Sequence, residues 1–336
     1  VSLADEQRSR LRRAKLTSLV RDRGVDVTHL RFADGPTLTS ACDGATLWAI
    51  SEEPTPAQVA GAVLSADRAG VDRVVLFVDE FAGTVTRWAG WFRLQVEVRQ
   101  VTGATSSTVP PDPFPDPVPP VDDAGLRRLM LDAGADVVVE HGVVRGEVLG
   151  LEVARLVAAP HGDDGGGGVV LEAGVGRFDR EAAAAMHRGE HPAASLRRVV
   201  DQVRRHRVAG AGSHPLALLA RERWLRRELL DRPDLVGAAD LHPVETTVVR
   251  SGVRDRAPAA ASGSDPAGRP VVVVCSTGAD LALVPVAADT RAAVAPDARL
   301  LLAVPHRDVL APVVRLAGLL QDPAEVVGVP APWEAP

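Results

Sequence analysis

Residues 135–189 read ADVVVEHGVVRGEVLGLEVARLVAAPHGDDGGGGVVLEAGVGRFDREAAAAMHRG. Runs of valine and leucine broken by His-Gly and by a Gly/Asp loop predict three strands, and the alanine-rich end predicts a helix. Glu147, Glu152 and Glu172 interrupt these otherwise apolar strands. A half-buried strand gives its inward positions to apolar side chains, so an acid there needs a partner or a task.

The chain on either side follows one order of elements. Upstream, an amphipathic helix ends at Gly24. Three short β-type runs follow (VTHLRF, TLTSA and ATLWAIS), then a helix opened by Thr55-Pro56. RVVLFVD is a continuous apolar run, as expected of a strand buried on both faces, and a helix near 82–93 leads to the strand LQVEVRQV. The predicted order is αβββαβαβ.

Seven prolines then fall between Val109 and Val121. They predict an extended, polyproline-like spacer over 105–121, favoured here as a plain linker over a proline-recognition ligand. Beyond it, a helix from Asp122, the three strands of the opening stretch, and helices near 179 and 193–207 repeat the first pattern. Residues 208–268 are expected to be an insertion, made of one helix through HPLALLARERWLRRELL and an Ala/Gly/Pro loop. RPVVVVCS, ARLLLAVP and AEVVGVP with two intervening helices complete a second αβββα…βαβ. The fold expectation is therefore two α/β domains, 1–104 and 122–336, as an internal duplication.

At 336 residues two domains are the natural prior, and 46% hydrophobic residues can fill both cores. The net charge of −6 gives no global signal for nucleic acid or an anionic membrane. Lys15 is the single lysine against many arginines and no tyrosine, a composition of GC-rich bacterial type. Cys42 and Cys275 are far apart and form no CxxC, which argues against a zinc site or a disulfide framework. With no apolar run near the ~20 residues of a membrane span and no signal-like N-terminus, a cytoplasmic location without membrane partners is expected.

The αβββαβαβ order resembles that of restriction-endonuclease-like nucleases of the Mrr and RecB type. The resemblance implies a carboxylate on the second strand and an acid-x-lysine pair on the third, together holding Mg²⁺ or Mn²⁺ and orienting water on a phosphodiester. In the first copy the third strand gives Ile50-Ser51-Glu52, so that copy should be inactive. In the second, Glu152 and Glu172 match the acids, but Ala173-Gly174 stands where lysine belongs, and an arginine would not replace it as a proton shuttle. Counting by twos sets Glu152 among Val148, Gly150, Ala154 and Leu156, and Glu172 among Val170, Gly174 and Gly176, small residues that something could approach.

Three functions follow as expectations. The foremost is a non-catalytic interaction or nucleic-acid-associated protein with a degenerate nuclease-like fold, presenting Arg197, Arg198, Arg204 and Arg205 on one helix to phosphate or to a protein partner. The second is a metal-dependent phosphodiesterase acting through Glu152 and Glu172. The third is a small-molecule or anion binder at the turns 276–280 and 305–308, on Thr277, Gly278, His306 and Arg307, at the carboxyl ends of adjacent strands. His161, Asp163 and Asp164 in the glycine-rich loop have metal-friendly side chains but read better as a flexible connection.

Overall fold

The computed structural model describes residues 3–159, 168–186, 191–211, 214–250 and 252–334. The loop carrying His161, Asp163 and Asp164 lies outside the described residues. The chain is a mixed α/β protein with three sheets among the described residues. Its two compact units are interleaved along the sequence: residues 1–114, 279–292 and 309–326 form one, and 115–278, 293–308 and 327–336 the other.

The first unit begins with α1 (Leu3–Arg21), β1 (Arg31–Asp34), β2 (Leu38–Cys42), β3 (Thr46–Ser51), α2 (Pro56–Ala69), β4 (Arg73–Val78), α3 (Ala82–Ala89), β5 (Gln95–Thr102) and β6 (Thr105–Thr108). The strands lie in sequence order in one sheet. β2 runs antiparallel to both neighbours, while β3, β4 and β5 are parallel. The valine-rich β4 is central and buried, as its unbroken apolar run requires. Leu16, Leu19 and Val20 of α1 pack on Trp48, Ile50, Val75 and Phe77 of the sheet. Thr55 caps α2, its side chain and that of Gln58 forming a reciprocal capping box.

The spacer expected over 105–121 is not a free linker at its start. β6 extends the first sheet beyond residue 104, and residues 109–114 are strapped to α3. Arg87 donates Nη1 to the carbonyls of Asp112 and Pro113, both at 3.0 Å, and its guanidinium lies 5.0 Å from the Phe114 ring centre. Proline offers no N–H but leaves its neighbours' carbonyls open, and a guanidinium fork satisfies them. Arg87 is itself held by Asp289, which is fully buried and also accepts from the Trp91 indole.

The second unit opens with α4 (Ala124–Asp132), β7 (Asp136–Glu140), β8 (Val143–Val148), β9 (Leu151–Ala158), β10 (Val169–Ala173), α5 (Gly176–Met186) and α6 (Pro192–His206). Strands β7 to β10 form an antiparallel meander of their own. This corrects the expected frame, in which 136–175 led into the strands 270–305. α6 lays Leu196, Val200 and Val203 on that sheet.

The remaining elements are α7 (Pro215–Leu218), α8 (Arg221–Asp231), β11 (Asp240–Val244), β12 (Ala259–Ser264), β13 (Pro270–Cys275), α9 (Leu283–Val294), β14 (Arg299–Pro305), α10 (Ala311–Gly318) and β15 (Glu325–Val329). Their five strands also lie in sequence order in one sheet, with β12 antiparallel to both neighbours and β13 parallel to β14. Residues 208–268 are therefore no insertion: they supply the helix and the first two strands of the set α8-β11-β12-β13-α9-β14-α10-β15. Trp224, Leu225 and Leu229 of α8 bury against Val271, Val273, Leu301 and Ala303. β12 reads AAASGS and lacks the β-branched residues that mark a strand. It fits because it is central: at Gly263 an added Cβ would collide with the Asp240 carbonyl of the neighbouring strand. The single helix expected through 214–230 is broken at Ala220, whose φ of 45° is left-handed. No helix among the described residues is long and apolar enough to cross a membrane.

Candidate functional site

Glu152, foremost among the expected metal ligands, is almost wholly buried and saturated with guanidinium groups. Arg145 Nε, Arg155 Nε and Arg180 Nη1 each donate to it at 3.0 Å. Arg180 reaches on to Glu172 at 3.4 Å, and Glu172 is 45% exposed. The two acids are thus brought to one arginine rather than to one cation. A hard divalent ion needs several free oxygen ligands, and Glu152 has none to offer. The residues do not fit Mg²⁺ or Mn²⁺. Among the described residues no group of three or more His, Cys, Asp or Glu is placed to hold a metal.

A second cluster adjoins the first. Glu147 pairs opposite Glu152 across the β8–β9 hairpin, beside a register shift. Its carboxylate takes Arg223 Nη1 at 2.8 Å and Arg226 Nη2 at 3.1 Å. Glu140 takes the same two arginines, with Arg226 Nη1 at 2.6 Å and both terminal nitrogens of Arg223. All four side chains are buried. Burial alone would raise the Glu140 pKa, but the field of Arg223 and Arg226 and their hydrogen bonds hold it well below the usual carboxylate range. Arg145 sits between Glu140 and Glu152 and links the clusters into one network.

The small residues beside these acids admit chain, not ligand. At Gly150 (φ 76°) an added Cβ would strike the backbone of Arg223 and Trp224, so this glycine lets α8 close onto the hairpin. The network holds a helix in place.

The helix α6 likewise uses part of its basic face at home. Arg204 donates to the Gly134 carbonyl at the end of α4, Arg205 to Asp201 of its own helix, and Arg198 also has a partner. Arg197 is exposed, with no such contact. Arg207, next in line, is fully buried and was passed over in the sequence. It donates to the carbonyls of Leu216, Leu219 and Leu149 at 2.8, 2.6 and 2.8 Å and lies 4.4 Å from the Trp224 ring centre. Burial pulls its pKa down to about 9. Arg207 fixes the corner between α7 and α8.

That corner walls a cleft of about 390 Å³. Its floor is formed by the turns after β13 and β14, the carboxyl ends of parallel strands, where a βα connection leaves backbone N–H groups free. Thr277, Gly278, Arg307 and Asp308 line it together, so the two turns singled out in the sequence do share one cavity. Two details differ from expectation. The Gly278 N–H is already taken by Asp308 Oδ2 at 2.7 Å, a carboxylate standing where an anion was expected, and His306 is exposed and does not line the cleft.

The cation supply comes in part from Arg254 and Arg256, which the sequence did not nominate. Arg221, Arg254 and Arg256 join Arg307 around the cavity. Arg254 and Arg256 are exposed, and among the described residues neither has an ion pair or hydrogen bond. The Arg221 pKa is lowered, first by burial and then by the positive charge of Arg307. Arg307 pairs with Glu334 at 2.5 Å. Glu222 also lines the cleft. It is 4% exposed, its Oε1 has no hydrogen-bond partner, and burial raises its pKa. Trp333 completes the wall, with a buried and equally unpartnered indole N–H.

Cys275, at the end of β13, takes no part: it is fully buried, and burial pushes its thiol up to about 12. No family model, curated protein or solved structure is similar enough to this chain to count as a match.

Proposed function

We propose that this protein binds a small anionic molecule in the cleft at the carboxyl ends of β13 and β14, and that Glu152 and Glu172 serve the fold rather than a reaction. One observation carries this reading: four arginines converge on one cavity and two of them have no counter-charge. Cationic side chains without ion pairs around a concavity suit an anionic ligand. Electrostatic repulsion between Arg221 and Arg307 would be relieved by a bound anion. The expected result is a rise in Tm with pyrophosphate, through mass action on the folded state, and loss of that rise in Arg254→Ala/Arg256→Ala.

A second reading is a nucleic-acid-associated protein of degenerate nuclease-like fold. It is favoured by the recurrence of one strand order in the first and third sheets, each preceded by a helix and each with its second strand antiparallel to both neighbours. Binding of an oligonucleotide at ~50 mM salt that weakens steeply with added salt is its signature. Absence of binding at that ionic strength removes it.

A further inference from the structure

The four arginines of the cleft fall into two pairs, and that division narrows the ligand, given the anion-binding reading above on which this inference rests. Arg254 and Arg256 belong to one exposed loop. Arg256 Nη1 lies 4.0 Å from where a Cβ on Gly278 would stand, which sets this pair by the turn after β13. Arg221 opens α8, and its guanidinium lies 4.9 Å from the Trp333 ring centre. Arg307, in the turn after β14, reaches Glu334, the residue next to that tryptophan. The cation that depresses the Arg221 pKa is Arg307, so these two form the second pair.

The pairs differ in what already meets them. The loop pair has no ion pair or hydrogen bond among the described residues. The second pair has a carboxylate of its own: Glu334, 45% exposed, meets Arg307 at 2.5 Å, and its charge also favours the protonated form of Arg221. Arg221 spends Nε on the Ala217 carbonyl at 3.0 Å, and its terminal nitrogens have no partner among the described residues. A bidentate guanidinium fork takes two oxygens of an anion, so a single tetrahedral anion is served by about two arginines. Two pairs therefore suit two phosphoryl groups, and a cleft of about 390 Å³ has room for both.

We infer that the cleft takes a diphosphate group, with one phosphoryl on Arg254 and Arg256 and the other on Arg221 and Arg307 in place of the Glu334 carboxylate. A one-headed anion is served by the loop pair and leaves Glu334 where it is. A diphosphate held by its first head presents the second at high local concentration, and an exposed ion pair such as Arg307–Glu334 is weak enough to yield to it. Glu334 thereby sets selectivity, holding the second pair against anions that cannot span both.

Calorimetric titration of the full chain tests this. The probes are inorganic phosphate, sulfate and pyrophosphate, each against wild type, Arg307→Ala, Glu334→Gln and Arg254→Ala/Arg256→Ala. Pyrophosphate should bind wild type about tenfold or more tightly than phosphate or sulfate. Arg307→Ala should erase that advantage while phosphate affinity stays within about twofold, which also shows that the variant is folded. Glu334→Gln should tighten pyrophosphate by about threefold, the worth of an exposed ion pair. The loop double variant should lose all three anions. Pyrophosphate no tighter than phosphate overturns the inference, as does an Arg307→Ala variant that weakens both alike or leaves pyrophosphate unchanged. A Glu334→Gln variant with unaltered pyrophosphate affinity overturns the displacement of Glu334. In each case phosphate binding leaves the anion site standing. If no anion binds wild type, the anion site itself is wrong and the inference falls with it.

Discussion

The ionic network on the β7–β10 sheet and the cleft beside β13 and β14 are built from the same two residue types, and both draw on α8. In the network, Arg223 and Arg226 point inward and each meets two carboxylates. In the cleft, Arg254 and Arg256 face solvent and meet none. Neighbouring positions of α8 divide between them, since Arg221 lines the cleft while Arg223 enters the network. An acid buried in a strand is thus a weak guide to chemistry when arginines outnumber it nearby. Cations that line a concavity without ion pairs are the stronger guide.

The largest effects should come from breaking the network. Glu140→Ala leaves Arg223 and Arg226 with a single carboxylate between them, and chemical denaturation should register a loss of about 3–5 kcal/mol. A loss under ~1 kcal/mol would mean that the buried arginines find other partners and that the network is not what seats α8.

Acid sensitivity should follow the same residue. Because the folded-state pKa of Glu140 is depressed, the unfolded chain takes up its proton first as the pH falls. Its contribution is complete above about pH 4.5, the ordinary value for a glutamate, and is lost progressively below that. Glu140→Gln should flatten the decline of Tm below that pH. An unchanged acid profile would place the sensitivity elsewhere.

Glu152→Ala should cost about 3 kcal/mol by stranding Arg145, Arg155 and Arg180. Mn²⁺ should leave the Tm of the wild type where it is. A rise with Mn²⁺ that disappears in Glu172→Gln would restore the metal site and sink the structural role given to these acids.

In the cleft the same class of substitution should do almost nothing to stability. Arg254→Ala/Arg256→Ala should change it by less than about 0.5 kcal/mol, as for exposed side chains without partners. Glu222→Gln should raise Tm at neutral pH, because burial disfavours the charged carboxylate and the amide removes that penalty. Thermal melts of both variants sharpen the contrast. A strongly destabilised Glu222→Gln would return that residue to the structural side.

Most of the first unit was legible in the sequence. The Thr55-Pro56 start of α2 and the apolar run of β4 each carry a local signal. The second unit was not, because its strand β12 is made of alanine, serine and glycine and is a strand only by virtue of the neighbours that enclose it. Reading that segment as loop hid the recurring αβββαβαβ set and joined the β7–β10 meander to the wrong strands. The site was half legible. Turns after two valine- and leucine-rich strands marked Thr277 and Arg307, since parallel strands put such turns on one edge. Arg254 and Arg256 lie in a loop, Trp333 lies near the end of the chain, and Glu222 looks like any helical surface acid. Only tertiary contact unites them.

The central claim is that the working surface is the cleft and not the acidic strands. Thermal melting of wild type, Arg254→Ala/Arg256→Ala and Glu172→Gln, each with pyrophosphate and separately with Mn²⁺, tests it most directly. The account predicts a pyrophosphate-dependent rise in Tm in wild type and Glu172→Gln, its loss in the arginine double variant, and no response to Mn²⁺ in any of them. A response to Mn²⁺ that depends on Glu172, with none to pyrophosphate, would contradict it.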